Sequence, residues 1–131
     1  MSRENVRTEA VQTWFEAFTD DPDAFRGTLH PEIEWFPFED NHTPSYGVDG
    51  AMRIRAHWLE SWDDQDVDLE DFVVERDNVV VTAHVTARGK GSGVEVDVRL
   101  HFHFKLRDDK VVYVYEHTDK GEALEAAGLS E

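Results

Sequence analysis

Cysteine is absent from the 131 residues, so the chain has no disulfide, no thiol nucleophile and no thiolate metal site. No apolar run approaches the ~20 residues of a membrane-spanning helix, and the opening MSRENVRTEAVQ lacks the apolar stretch of a secretory leader. A cytoplasmic protein with no membrane partner is therefore expected. Basic residues are also scarce. Thirteen Lys and Arg, of which only Lys90, Lys105, Lys110 and Lys120 are lysines, stand against 29 Asp and Glu, for a net charge of −16. Such a field repels phosphate backbones and anionic lipids, which argues against nucleic acid and membrane surfaces as partners. The acidity itself has two readings, an ordinary soluble acidic domain or an adaptation to high salt.

Aromatic residues, by contrast, are plentiful. The 4 Trp, 3 Tyr and 8 Phe are enough both to fill a core and to wall a cavity. A chain of this length buries roughly two-thirds of its unfolded surface as one domain, taken here as residues 1–131.

Apolar periodicity orders the elements. Val6, Ala10, Val11, Trp14, Phe15 and Phe18 form a helical stripe over residues 4–19. Asp20-Asp21-Pro22-Asp23 breaks it and starts a second short helix to about residue 29. A short strand is expected at 32–37, a polar rim or lid loop at 38–50 and a third helix at 48–62. A strand at 66–76 then leads into three long alternating segments, NVVVTAHVTAR, GVEVDVRLHFHFKLR and KVVYVYEHTD, followed by a short Ala/Leu helix. Early helices and a late antiparallel run make an α+β fold, with helices on one face of a sheet long enough to curve.

Alternation divides the longest strand into two rows. Val94, Val96, Val98, Leu100, Phe102 and Phe104 should face a pocket, while Glu95, Asp97, Arg99, His101, His103 and Lys105 face outward. On the last strand composition alone leaves the rows ambiguous: Val112, Val114, Glu116 and Thr118 against Val111, Tyr113, Tyr115 and His117. His101 and His103, with His84 and His117 on adjacent strands, suggest a metal, but no inward carboxylate completes a ligand set. With Tyr113, Tyr115, Arg99 and Thr82 on the same side, the composition is that of an interface, so a homodimer through the outer sheet face is expected, with no metal and no cofactor. Gly89-Lys90-Gly91-Ser92-Gly93 joins two strands and lacks the helix N-terminus of a phosphate loop, so it is read as a flexible hairpin.

The segments VQTWFEAF, LHPEIEWFP, YGVDGAMRIRAHWLESW, GKGSGVEV and RDDKVVYVYEHTDKGEALEAAGL, in this order and spacing, resemble the SnoaL-like polyketide cyclase family within the nuclear transport factor two-like and ketosteroid isomerase-like superfamily. The resemblance covers nearly the whole chain. It implies a cystatin-like, cone-shaped α+β barrel whose curved antiparallel sheet wraps the N-terminal helices around a pocket, usually in a dimer. It also implies that Glu116 matches the inward catalytic aspartate of similar epoxide hydrolases. The Arg and second Asp of that arrangement are missing, since 79–88 offers only His84 and Arg88. Where ketosteroid isomerases carry a tyrosine and two aspartates, Trp14, Phe36 and Leu100 align. Fold therefore does not fix function.

Glu116 is the candidate acid or base, because a carboxyl on an apolar wall holds its proton toward neutral pH. The alternative is a solvent-facing or purely structural glutamate. His30, at a helix-to-strand junction where histidines often cap, and Tyr46, on the rim, are candidate assistants. Trp14, Phe18, Trp35, Trp58, Trp62, Phe72, Leu100, Phe102 and Phe104 are the candidate ligand-binding residues, each with a plain core role as its alternative. Two functions follow: cofactor-independent isomerisation, cyclisation or hydrolysis of a small hydrophobic or ring-bearing molecule, or non-catalytic binding. A third reading is a dimeric scaffold.

Overall fold

Helix α1 spans Arg3–Asp20 in the computed structural model, which describes residues 3–129. It buries Val11, Trp14 and Ala17, with Ala10, Phe15 and Phe18 partly buried beside them, as the three- and four-residue spacing dictates. Asp21 ends it by capping α2 (Pro22–Gly27): the Asp21 carboxylate accepts from the Ala24 amide at 3.0 Å, and Pro22 presets the first turn. Strand β1 (Leu29–Phe36) starts three residues earlier than the sequence suggests, because the Val111 amide donates to the Thr28 carbonyl and ties the chain there to the last strand. A single 3-10 turn (Phe38–Asp40) and the two-residue β2 (Ser45–Tyr46) occupy the expected loop. Then come α3 (Gly47–Ser61), β3 (Trp62–Glu75), β4 (Asn78–Gly89), β5 (Glu95–Arg107), β6 (Lys110–His117) and α4 (Lys120–Ala126).

The six strands form one open, curved sheet in the order β2-β1-β6-β5-β4-β3. Its pairs are antiparallel except β1 with β6, which is parallel, so the sheet is mixed. The parallel pair is possible because more than seventy residues separate β1 from β6 (37–109), and a connection of that length imposes no hairpin direction. Breaks in register at Asp63/Asp66 and Leu69/Phe72 in β3, and at Lys105/Leu106 opposite β6, bend the strands. The concave face holds α1 and α2 over Phe102, Phe104, Val81 and Val114.

The irregularity in β6 decides which of its rows faces the core. Lys105 pairs with Tyr113 but Leu106 with Val111, so Val112 is an extra residue. Val111 and Val114 are both fully buried, and beyond the bulge the inward row is Val114 and Glu116. On the convex face α4, capped by Asp119 through the Glu122 amide at 2.9 Å, packs Ala123, Leu124 and Ala127 against Val80. That part of the outer face is therefore covered by the chain itself. Among the described residues no helix is long and apolar enough to cross a membrane.

Candidate functional site

Between the concave sheet and helices α1 and α3 lies a cavity of about 860 Å³. Its inner end is aromatic. Trp14 is nearly fully buried, and its ring lies 4.9 to 6.0 Å from those of Phe15, Phe18, Phe25, Trp35, Phe102 and Phe104, mostly edge-to-face. Of these, Trp14, Phe15, Phe18, Trp35 and Phe102 reach the cavity surface, and Val85, Val96, Val98 and Leu100 continue the apolar wall along β4 and β5. Toward α3, Trp58 and Trp62 lie 5.4 Å apart, and Trp58 Nε1 donates to Gln65 Oε1 at 2.5 Å.

One ionisable side chain stands in the apolar wall. Glu116 is 8% exposed and lines the cavity. Trp35 Nε1 donates to its Oε2 at 2.6 Å and the Phe38 amide to its Oε1 at 3.2 Å. Burial pushes its pKa up to about 7; the two N–H donors work against that shift, and the nearby Glu39 charge adds to it. Near neutral pH the group is thus populated both as acid and as carboxylate, the condition for moving a proton in either direction. A carboxylate has about four lone-pair sites, so two donors leave capacity for a bound molecule.

The remaining charged lining is unbalanced. Glu16, Asp20, Glu39 and Asp66 border the cavity, opposed by Arg53 and His57. Glu39 is engaged, accepting from Trp62 Nε1 at 2.9 Å and lying 3.2 Å from His57 Nε2.

The expected residues divide accordingly. Trp14, Phe18, Trp35, Trp58, Trp62, Leu100, Phe102 and Glu116 line one cavity. Phe104 is fully buried behind it, stacked on Phe102 at 5.7 Å, and Phe72 packs in the core without reaching the cavity. His30 lies outside the lining, and its Nδ1 accepts from the Glu32 amide at 3.0 Å, a local backbone role. Tyr46 is 64% exposed at the start of α3 and also outside the lining. Phe15, Phe38, Glu39, Arg53, His57 and Gln65 also line the cavity and were not among the expected site residues. Phe15 is part of the α1 stripe, and Arg53 and His57 sit four residues apart on α3, flanking the row of Ile54 and Trp58. Phe38 and Glu39 belong to a loop with no periodicity to reveal them.

On the convex face, Phe36, Tyr113, Tyr115 and His117 form a half-buried aromatic strip, extended by His42 stacked on Tyr115 at 4.6 Å. His103 is buried, with Nε2 2.8 Å from Asn78 Oδ1. Among the described residues no group of three or more His, Asp or Glu is gathered to hold a metal.

Comparison with known proteins agrees with this architecture. A family model described as a SnoaL-like domain matches residues 11–114. The fold is similar to that of a protein assigned as a SnoaL-like polyketide cyclase from Jannaschia sp. CCS1, with 27% identity and a TM-score of 0.77 over 88% of this chain and 86% of that one. It is also similar to a ketosteroid isomerase-like protein from Catenulispora acidiphila DSM 44928 in complex with trimethylamine, at 16% identity, TM-score 0.75, and 93% and 94% of the two chains. TerC, co-crystallized with polyporic acid, is similar at 20% identity and TM-score 0.75 over 87% and 92%. The chain matches none of the curated proteins with which it was compared.

Proposed function

The chain belongs to the SnoaL-like domain family, and from that premise we propose that it takes up a small ring-bearing molecule in its aromatic cavity and moves a proton on it with Glu116, without a cofactor. The observation that carries this reading is a buried carboxyl with a near-neutral pKa beside the Trp, Phe, Val and Leu side chains that form the cavity's apolar wall. Isomerisation, cyclisation and hydrolysis all need such a group, and a cavity of this size accommodates a fused-ring skeleton. The carboxylates Glu16, Asp20, Glu39 and Asp66 favour an uncharged or cationic ligand over an anionic one. Two structural neighbours were crystallised with small organic molecules, trimethylamine and polyporic acid.

A second reading, a binder without turnover, is favoured by one specific observation. Both Glu116 oxygens already accept N–H donors, and neither His30 nor Tyr46 borders the cavity to assist. One experiment separates the two. Naphthalene derivatives bearing a hydroxyl, a trimethylammonium or a sulfonate group are screened by native mass spectrometry, and ring-bearing ketones related to the hits are then assayed for turnover with wild type and Glu116→Gln. The enzyme reading expects turnover to fall by roughly 10²- to 10⁴-fold in the variant with affinity little changed. Equal turnover in the two proteins would remove Glu116 from catalysis.

The same screen reports the oligomer. The aromatic strip of Phe36, Tyr113, Tyr115 and His117 supports a homodimer through the convex face, beside the area that α4 already covers.

A further inference from the structure

Residues 37–44 cross the rim of the cavity, and Pro37, Phe38, Glu39, Thr43 and Pro44 contribute to its lining. Yet the sheet leaves this segment unpaired: β1 ends at Phe36 and β2 resumes at Ser45. Among the described residues four polar contacts join it to the body, three of them through the carboxylates of Glu116 and Glu39 and one through the main-chain oxygen of Glu116. At Glu116, the Phe38 amide donates to Oε1 at 3.2 Å and His42 Nε2 lies 2.7 Å from the main-chain oxygen. At Glu39, Trp62 Nε1 donates to Oε2 at 2.9 Å and His57 Nε2 lies 3.2 Å from Oε1. Within the segment, Asn41 and His42 hold consecutive left-handed conformations, φ 53° and 60°, a region that Asn and His enter more readily than other non-glycine residues. Phe38, its largest apolar side chain, is 41% exposed, so the segment's apolar hold is confined to the buried Pro37 and to His42 stacked on Tyr115.

We propose that residues 37–44 are a strap that closes the cavity by gripping the cavity's own acid, so that opening the cavity and neutralising Glu116 are linked events. The proposal rests on Glu116 as the titrating group of the site. An ionised carboxylate is a much stronger acceptor for the Phe38 amide than a protonated carboxyl. When Glu116 gains a proton, from solvent or from a bound molecule, the strap loses its Phe38 attachment, while the His42 contact to the main-chain oxygen and the Glu39 clasp to Trp62 and His57 stay. When Glu116 is charged the strap is drawn down. A base that has just taken its proton would thereby open the way out for product.

Other charges bear on the same carboxyl. Glu39 on the strap opposes its ionisation, and His42 touches its carbonyl. Glu16 and Asp20 from α1, Arg53 and His57 from α3, and Asp66 from β3 line the same cavity, whereas Trp35 on β1 and Phe102 on β5 bring no charge. His117 follows it on β6. Because the imidazoles of His42, His57 and His117 stand nearby, the test must isolate Glu116.

Amide and indole proton shifts, followed by NMR from pH 5 to 9, do so. In the full-length protein the Trp35 indole and the Phe38 amide are expected to move with one midpoint near 7, while the Trp62 indole, held by Glu39, stays in place. Uptake of the neutral dye N-phenyl-1-naphthylamine is expected to quicken about fivefold as pH falls through that midpoint, the factor that corresponds to weakening one charge-assisted hydrogen bond. Glu116→Gln should abolish the midpoint and leave dye uptake fast at every pH, and Glu39→Gln should lower the midpoint. If the Trp35 indole titrates while the Phe38 amide and dye uptake stay constant, the strap is overturned and Glu116 as a titrating acid survives. If the Trp35 indole does not titrate near 7, both readings fall. A midpoint that persists in Glu116→Gln belongs to a histidine and also contradicts the strap.

Discussion

Glu116 holds its proton more tightly in the folded chain than in the unfolded one, and the sign of that difference has a thermodynamic consequence. Its pKa rises from 4.5 to about 7 on folding, so between those values the folded state binds more protons than the unfolded state. Stability from this group is therefore full below about 4.5 and is lost as pH rises to about 7, by ~3 kcal/mol in order of magnitude. Urea unfolding of wild type and Glu116→Gln across pH 4.5 to 8 should show the variant gaining on wild type by that amount, with no further change above 8. Parallel pH profiles would mean an ordinary carboxyl. His103 has the opposite sign. Burial, with the Lys105 and His117 charges, lowers its pKa to about 4, so its contribution is complete above 6.5 and is lost as pH falls toward 4. Asn78 Oδ1 can only accept, which places the proton on Nε2 and leaves Nδ1 bare and unpaired. His103→Gln keeps a donor for Asn78 and removes the titration, so it should lose less stability than wild type between pH 6.5 and 4.

At the scale of elements, the fold was legible where periodicity runs long. The α1 stripe and the β5 alternation predicted which side chains meet, and Trp14, Phe102 and Leu100 do share one cavity wall. Trp14→Ala should cost ~3 to 5 kcal/mol, as for other large-to-small changes in a core, because six rings pack around it. Circular dichroism melts would check it, and a loss below 1 kcal/mol would show a loose cluster. What escaped the sequence has local causes. The β6 bulge, which shifts the inward row from Val111 to Val114 and Glu116, is one extra residue that no alternation pattern announces. The parallel pairing of β1 is a long-range event. The rim residues Phe38 and Glu39 reach Glu116 and Trp62 through loop geometry that has no period.

For the whole molecule, two surfaces of the sheet divide the work. The concave side encloses the cavity, and the convex side carries the aromatic strip beside α4. If the strip is a homodimer contact, Tyr113→Glu should shift the sedimentation of the protein from dimer to monomer without altering its far-UV spectrum. A wild-type monomer at micromolar concentration would contradict that assignment. The net charge of −16 adds self-repulsion that salt screens, so a high-salt adaptation predicts a melting temperature that climbs between low and molar KCl. The deciding group is Glu116, the buried acid of the cavity wall. Its most direct test is the carboxyl ¹³C resonance of Glu116 followed through a pH titration of the wild-type protein, assigned by its absence in Glu116→Gln. The account predicts a midpoint near 7; a midpoint near 4.5, the ordinary glutamate value, would contradict it.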